Sequence, residues 1–150
     1  LIFLSRAGLL DLLQLVSFQI VVPETVATEI EVRGQSDPTA QAISETSWLV
    51  VTQTPAIPTQ IQSWGLGPGE SSVLAWAHAH PGSEAIIDDL AARRCAAALH
   101  IPVRGTLGLV LIAKKRGQIP SARRILEQLR QSGMYLSDPV MDEALALVGE

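Results

Sequence analysis

Short runs of β-branched residues alternate with helix-length segments along most of this chain, and that rhythm limits its possible folds more than any other feature. Residues 18–22, 48–52, 84–87 and 101–104 read as strands. The segments between and around them read as helices. Residues 1–16 place Leu4, Leu9, Leu10, Leu12, Leu13 and Val16 in a helical pattern, with Gly8 as a break. Pro23 suits the first position of a helix running to about Arg33 and ending at Gly34. Asp37-Pro38 predicts a cap and a first-turn proline for a helix to about Glu45. Residues 54–69 are rich in Pro and Gly and predict a loop with one short helix. Further helices are predicted over 70–80, 89–99, 106–115 (capped by Thr106), 121–131 (ending at Gly133) and from a Ser137 cap through Val148. Strands alternating with helices of this length predict an α/β protein with a central parallel sheet and helices on its faces. At 150 residues the chain suffices for one ordinary core and is short for two, so a single domain over 1–150 is expected.

Composition narrows the class. The chain is 47% hydrophobic but only 4% aromatic, which suits helices packed on a buried sheet. No apolar run reaches the roughly 18 residues of a membrane span, and no charged leader precedes an apolar stretch. The single cysteine, Cys95, lies within a helical pattern and rules out a disulfide framework. A reducing, cytoplasmic setting without membrane attachment is the expectation.

The charges are unevenly spread. Residues 93–130 hold nine of the eleven basic residues and one acid, a formal +8. Residues 1–92 hold ten acids and two bases, a formal −8, and four more acids follow Arg130. The net charge of −4 therefore conceals two opposed stretches. Acids that converge can hold a divalent cation, and a basic surface can hold a phosphate backbone. Scattered solvated faces are the plainer explanation of any charge run, so the motifs must decide.

In open parallel sheets, ligands bind where strands end and helices begin. Asp88 and Asp89 follow the predicted strand 84–87 directly. Capping explains one aspartate, and an Asp89–Arg93 pair at i, i+4 is the ordinary alternative to a ligand role. A cap does not require two adjacent aspartates. Glu70 follows Gly65-Leu66-Gly67-Pro68-Gly69, and Val73, Leu74 and Ala77 place it on the apolar stripe of its helix. A first-turn Glu complements the helix dipole, which accounts for its position along the helix but not for its face. Glu29 and Glu31 flank the Val26/Ala27/Ile30 stripe about equally, and periodicity does not choose between them.

Other chemistries fit less well. His78 and His80 are two residues apart and face different ways on a helix, and His100 stands alone, so a zinc site is not indicated. No Lys-Ser/Thr follows the glycines at 65–69, so they are not a nucleotide-binding P-loop. Ser71 and Ser72 lack the pattern of a nucleophile elbow, and no Asp-x-Asp pattern supports a phosphatase. Carboxylates with the oxygen-loving cations Mg²⁺ or Mn²⁺ remain.

Five motifs occur in order: Leu-Ile-x-Leu-x-x-x-Gly-x-Leu-x-Leu-Leu at 1–13, Val-Pro-x-x-Val-x-x-Glu-Ile at 22–30, Leu-Gly-Pro-Gly-Glu at 66–70, Ile-Ile-Asp-Asp-x-x-Ala-Arg at 86–93 and Gly-Thr-Leu-Gly-Leu at 105–109. Each is weak alone. Together they resemble the PIN-domain family, in a branch close to the VapC-type toxin nucleases. The resemblance implies a three-layer α/β/α fold and an Mg²⁺- or Mn²⁺-dependent ribonuclease site of three or four acids. It implies that Glu29 is the acid of the second helix, Glu70 the acid opening the later helix and Asp88 the acid after the fourth strand, with Asp89 as a supplementary ligand. It also implies an aspartate on an opening strand ahead of Leu1. Arg93, Arg123 and Arg124 are the candidate RNA contacts. Lys114-Lys115-Arg116 ends a helix, where positive charge is already favoured, whereas Arg123 and Arg124 open one, where it is not. Expected partners are RNA, a cognate antitoxin protein and a second copy of the chain. The competing expectation is a PIN-like module with a degraded site that acts through protein association.

Overall fold

In the computed structural model, which describes residues 1–150, the chain gathers into two compact units. One is formed by 19–105, and the other joins the two ends, 1–18 and 106–150.

The 19–105 unit contains every strand. Its elements are β1 (Ile20–Pro23), α2 (Glu24–Glu31), α3 (Pro38–Glu45), β2 (Leu49–Thr52), α4 (Thr59–Gln62), α5 (Pro68–Ala79), β3 (Ala85–Ile86), α6 (Leu90–Ala98) and β4 (Val103–Arg104), with α1 (Ile2–Arg6) preceding them in the chain. β1 pairs in parallel with β2, Ile20 facing Leu49 and Pro23 facing Thr52. β3 pairs in parallel with β4, Ala85 facing Val103 and Ile86 facing Arg104. Parallel partners need a crossover, and helices supply it in both cases: α2 and α3 between β1 and β2, α6 between β3 and β4. The α/β class and the parallel pairing are as expected, but the strands form two separate pairs instead of one continuous sheet. Each strand has a single hydrogen-bonding neighbour, and β3 and β4 are only two residues long.

Under β3 and β4 lies a core of Ile61, Leu74, Ala75, Ala77, Ala85, Ile87, Ala92, Cys95, Ala96 and Ile101. Alanines on α5 and α6 permit close packing there, and burial pushes the Cys95 thiol pKa up.

Local signals decided most boundaries. Asp37 caps α3, accepting from the Thr39 N–H at 2.8 Å with Pro38 behind it, and that bond holds its carboxyl below the usual range. Three expectations need correction. Pro23 ends β1 and occupies the cap position of α2 (φ −57°, ψ 141°), because a fixed proline φ suits extended chain as well as a helix start. α5 begins at Pro68, so the first-turn proline lies two residues ahead of Glu70. Thr106 is itself the first helical residue of the next helix.

The second unit is helical: α1, a 3₁₀ segment (Leu10–Leu15), α7 (Thr106–Lys115), α8 (Ala122–Gln131) and α9 (Asp138–Ala146). Gly8 breaks the opening helix as its position predicts, in the left-handed region at φ +68°. Leu4, Leu13, Leu109, Val110, Leu126, Leu129 and Leu145 are almost fully buried. Gln128 donates its amide to the Ala7 carbonyl, and the Arg116 guanidinium donates to that of Leu15, tying the opening segment to the closing helices. No helix is long and apolar enough to cross a membrane.

Candidate functional site

All four candidate carboxylates lie in the 19–105 unit. Glu29 is exposed on α2, yet its Oε1 accepts the N–H of Gly69 at 3.1 Å, forty residues along the chain. Gly69 is in the first turn of α5, where backbone N–H groups have no partner within the helix and the dipole favours an anion. Glu70 is the next residue, half-buried as its place on the apolar stripe predicts. The acid of α2 and the acid of α5 thus adjoin at one helix start.

Asp88 and Asp89 follow β3 and are exposed. Asp89 caps α6, its Oδ2 accepting the Ala92 N–H at 2.9 Å. Arg93, one turn further along, donates Nη1 to the Ile87 carbonyl at 3.2 Å, so the guanidinium turns back toward the end of β3.

Ten of the eleven glycines sort into two kinds. Gly8, Gly34, Gly65, Gly82, Gly117, Gly133 and Gly149 have positive φ and open space around them, and they serve turns. Gly67, Gly69 and Gly105 do not have positive φ. Each of these three lies against a candidate site side chain. A Cβ on Gly67 would fall 2.5 Å from Glu70 Oε2, and one on Gly69 would fall 2.5 Å from Glu29 Oε2. On Gly105 it would fall 2.6 Å from Arg93 Nη1 and 3.1 Å from Asp88 Oδ1. Asp88 and Arg93 therefore lie together over one bare Cα. In the sequence these glycines look like loop formers or motif letters; what they provide is close approach of polar side chains to backbone.

A cleft of about 280 Å³ is lined by Trp64, Gly65, Leu66, Gly67, Glu70, Asp89 and Ala91. It brings Glu70 and Asp89 to one opening, although the loop and α6 that line it are far apart in sequence. The acids thus associate in overlapping pairs, Glu29 beside Glu70 and Glu70 with Asp89, while Asp88 sits with Arg93. No three His, Cys, Asp or Glu side chains lie close enough together to share one metal ion. The donors are of the kind a hard cation prefers, carboxylate oxygens without thiolate or imidazole, and one oxygen each of Glu70, Glu29 and Asp88 fills the space over a bare glycine Cα.

Arg123 and Arg124 lie elsewhere, in the first turn of α8 in the helical unit. Both are exposed, and Arg124 borders a shallow hollow with Glu127, Gln128 and Gln131. The start of α8 is met by an acid that sequence reading did not single out. Glu150 accepts the Ser121 hydroxyl at 2.7 Å and the Ala122 N–H at 2.5 Å, with Lys114 Nζ 3.5 Å away. Those hydrogen bonds hold its carboxyl down to about 2. Folding also changes the charge picture. The 19–105 unit has four basic and nine acidic residues, a formal −5, and the helical unit has seven and six, a formal +1. The strong basic stretch along the chain is diluted by acids from both termini.

Parallel strand pairs joined by helices, with carboxylates gathered at strand and helix ends, define an α/β protein with an acid-lined cleft. A family model described as a PIN domain matches residues 1–150, and the chain belongs to the PIN-domain family. PIN domains are generally nucleases that use divalent metal ions. No curated protein and no solved structure matches the chain.

Proposed function

We propose that this protein is a metal-dependent endoribonuclease that cleaves single-stranded RNA, the toxin of a toxin–antitoxin pair in the VapC-like branch of its family. The observation that carries this reading is the pairing of three acids with close-approach glycines: Glu70 at Gly67, Glu29 at Gly69 and Asp88 at Gly105. Glu29 and Asp88 are exposed and Glu70 half-buried, yet each lies where a side chain in place of the glycine hydrogen would displace it, which supports a fixed direction for their oxygens.

Glu29, Glu70 and Asp88, with Asp89 as a supplementary donor, would hold Mg²⁺ or Mn²⁺. Such an ion activates water and stabilises charge on the phosphodiester. The residues themselves have separable tasks. Gly69 fixes one oxygen of Glu29 and leaves the other beside the helix start. Asp89 keeps one oxygen on the α6 cap and faces the cleft from there. Arg93, anchored on the Ile87 carbonyl, is placed to pair with a phosphate oxygen next to Asp88. Arg123 and Arg124 add positive charge for the RNA backbone on the helical unit. The reading carries with it a cytoplasmic protein, a cognate antitoxin and a homodimer.

The test is cleavage of a mixed single-stranded RNA by the protein in Mn²⁺, with EDTA and with Asp88→Asn purified identically. Loss of activity in both controls supports the nuclease and puts Asp88 at its centre. Activity that survives Asp88→Asn defeats that assignment. A second reading, a PIN-like module acting through protein association, draws on the fact that no three acid side chains share one point. Absence of cleavage by folded protein favours it.

A further inference from the structure

We infer that Trp64 is a stacking platform for a nucleobase beside the acids of the cleft; this rests on the nuclease reading above and assigns that reading a base-contacting residue. Trp64 lines the same cleft as Glu70 and Asp89, at the turn after α4. Trp64 is 41% exposed, whereas Trp76 is stacked on His80 with ring centroids 3.9 Å apart. Trp64 has no aromatic ring stacked on it. Its backbone is held in place: the Trp64 N–H donates to the Ile61 carbonyl, the Gly65 N–H donates to that of Gln62, and Gly65 then turns the chain at φ +63°. Ile61 in turn is fully buried, which anchors the turn to the core.

What sets Trp64 apart from the more exposed Phe18 and Tyr135 is its place in the cleft, where anything that covers the indole must also suit two carboxylates. A base offers a flat π-face to the indole while its own phosphate can be drawn toward a cation at the acids; a duplex offers no free face. A phenyl ring at this position would retain part of the stacking, and a methyl would retain none.

The experiment measures fluorescence anisotropy of two labelled twelve-nucleotide RNAs, one with bases and one abasic, in Ca²⁺, an oxygen-seeking cation in place of Mg²⁺ or Mn²⁺, with a gel to show that both strands stay intact. The proteins are wild type, Trp64→Ala and Trp64→Phe at full length, with Trp76→Phe as the comparison. Stacking worth about 1–3 kcal/mol per base corresponds to roughly 5- to 150-fold in affinity. The wild type and Trp76→Phe should prefer the base-bearing strand by a factor in that range. Trp64→Ala should lose the preference while binding the abasic strand as the wild type does, and Trp64→Phe should keep an intermediate preference. A preference that persists in Trp64→Ala overturns the assignment and leaves the nuclease reading standing. Equal wild-type binding of both strands does the same. Binding of neither strand by folded wild type overturns both and leaves the cleft to a protein partner.

Discussion

Two helix starts in this molecule are each met by a glutamate from a distant part of the chain, and they are not alike. At α8, Glu150 is saturated: it takes a hydroxyl and backbone N–H groups, and Lys114 stands beside it. At α5, Glu29 accepts one N–H, from Gly69, and its second oxygen lies against the bare Cα of that glycine. The same attraction of a carboxylate to unpaired N–H groups operates at both. In the first case it closes a fold; in the second it leaves donor capacity beside Glu70 and the cleft. A carboxylate with all its partners supplied by protein is structural, and one with partners left over is a candidate ligand.

The largest expected effect breaks the comparison on the α/β side. Asp88→Asn keeps the shape of the side chain and should lower RNA cleavage by about a hundredfold or more, the scale for removing one electrostatic group at a reacting centre. The variant should remain folded, and a circular dichroism melt beside the cleavage assay separates lost chemistry from lost fold. Gly105→Ala comes next. Its new Cβ would fall 2.6 Å from Arg93 Nη1 and 3.1 Å from Asp88 Oδ1, so both side chains must move. Cleavage should fall roughly tenfold, within the range for ångström-scale misplacement, with little change in melting. Unchanged cleavage would mean that the glycine pairing does not position the acids.

Asp89 can be dissected by two substitutions. Asp89→Ala should destabilise the fold by about 1 kcal/mol through loss of the α6 cap, whereas Asp89→Ser should restore the cap. If Asp89→Ser also restores cleavage, Asp89 is a cap and nothing more. The smallest effect concerns Glu150, whose carboxyl is held at about 2 in the fold against an ordinary value of 4.5. A depressed carboxyl stabilises the fold above its ordinary value and loses that contribution as pH falls toward the folded one. Glu150→Gln should therefore melt slightly below the wild type at neutral pH. The gap should close between about pH 4.5 and pH 2 and narrow in high salt, with cleavage unaffected.

Features that depend on a few neighbouring residues were legible in the chain itself. The Asp37-Pro38 start, the Gly8 break, the Ser137 cap position and the half-buried face of Glu70 all follow from local dihedral preference and helical periodicity. The family followed from five short motifs in order, and the α/β class from strand and helix alternation. Pro23 misled because one residue type satisfies both a strand end and a helix start.

What the sequence could not decide was everything set by distance across the fold. Glu29 and Glu31 are equivalent to a periodicity argument; the family resemblance chose Glu29, and the approach of Gly69, forty residues on, supplies the physical difference. Gly67, Gly69 and Gly105 look like turn glycines until their neighbours are seen. The opposed charges along the chain became a formal −5 and +1 once the two termini folded together. Local preferences are short-ranged and written in adjacent residues, whereas carboxylate partners and charge surfaces depend on which distant segments packing brings side by side.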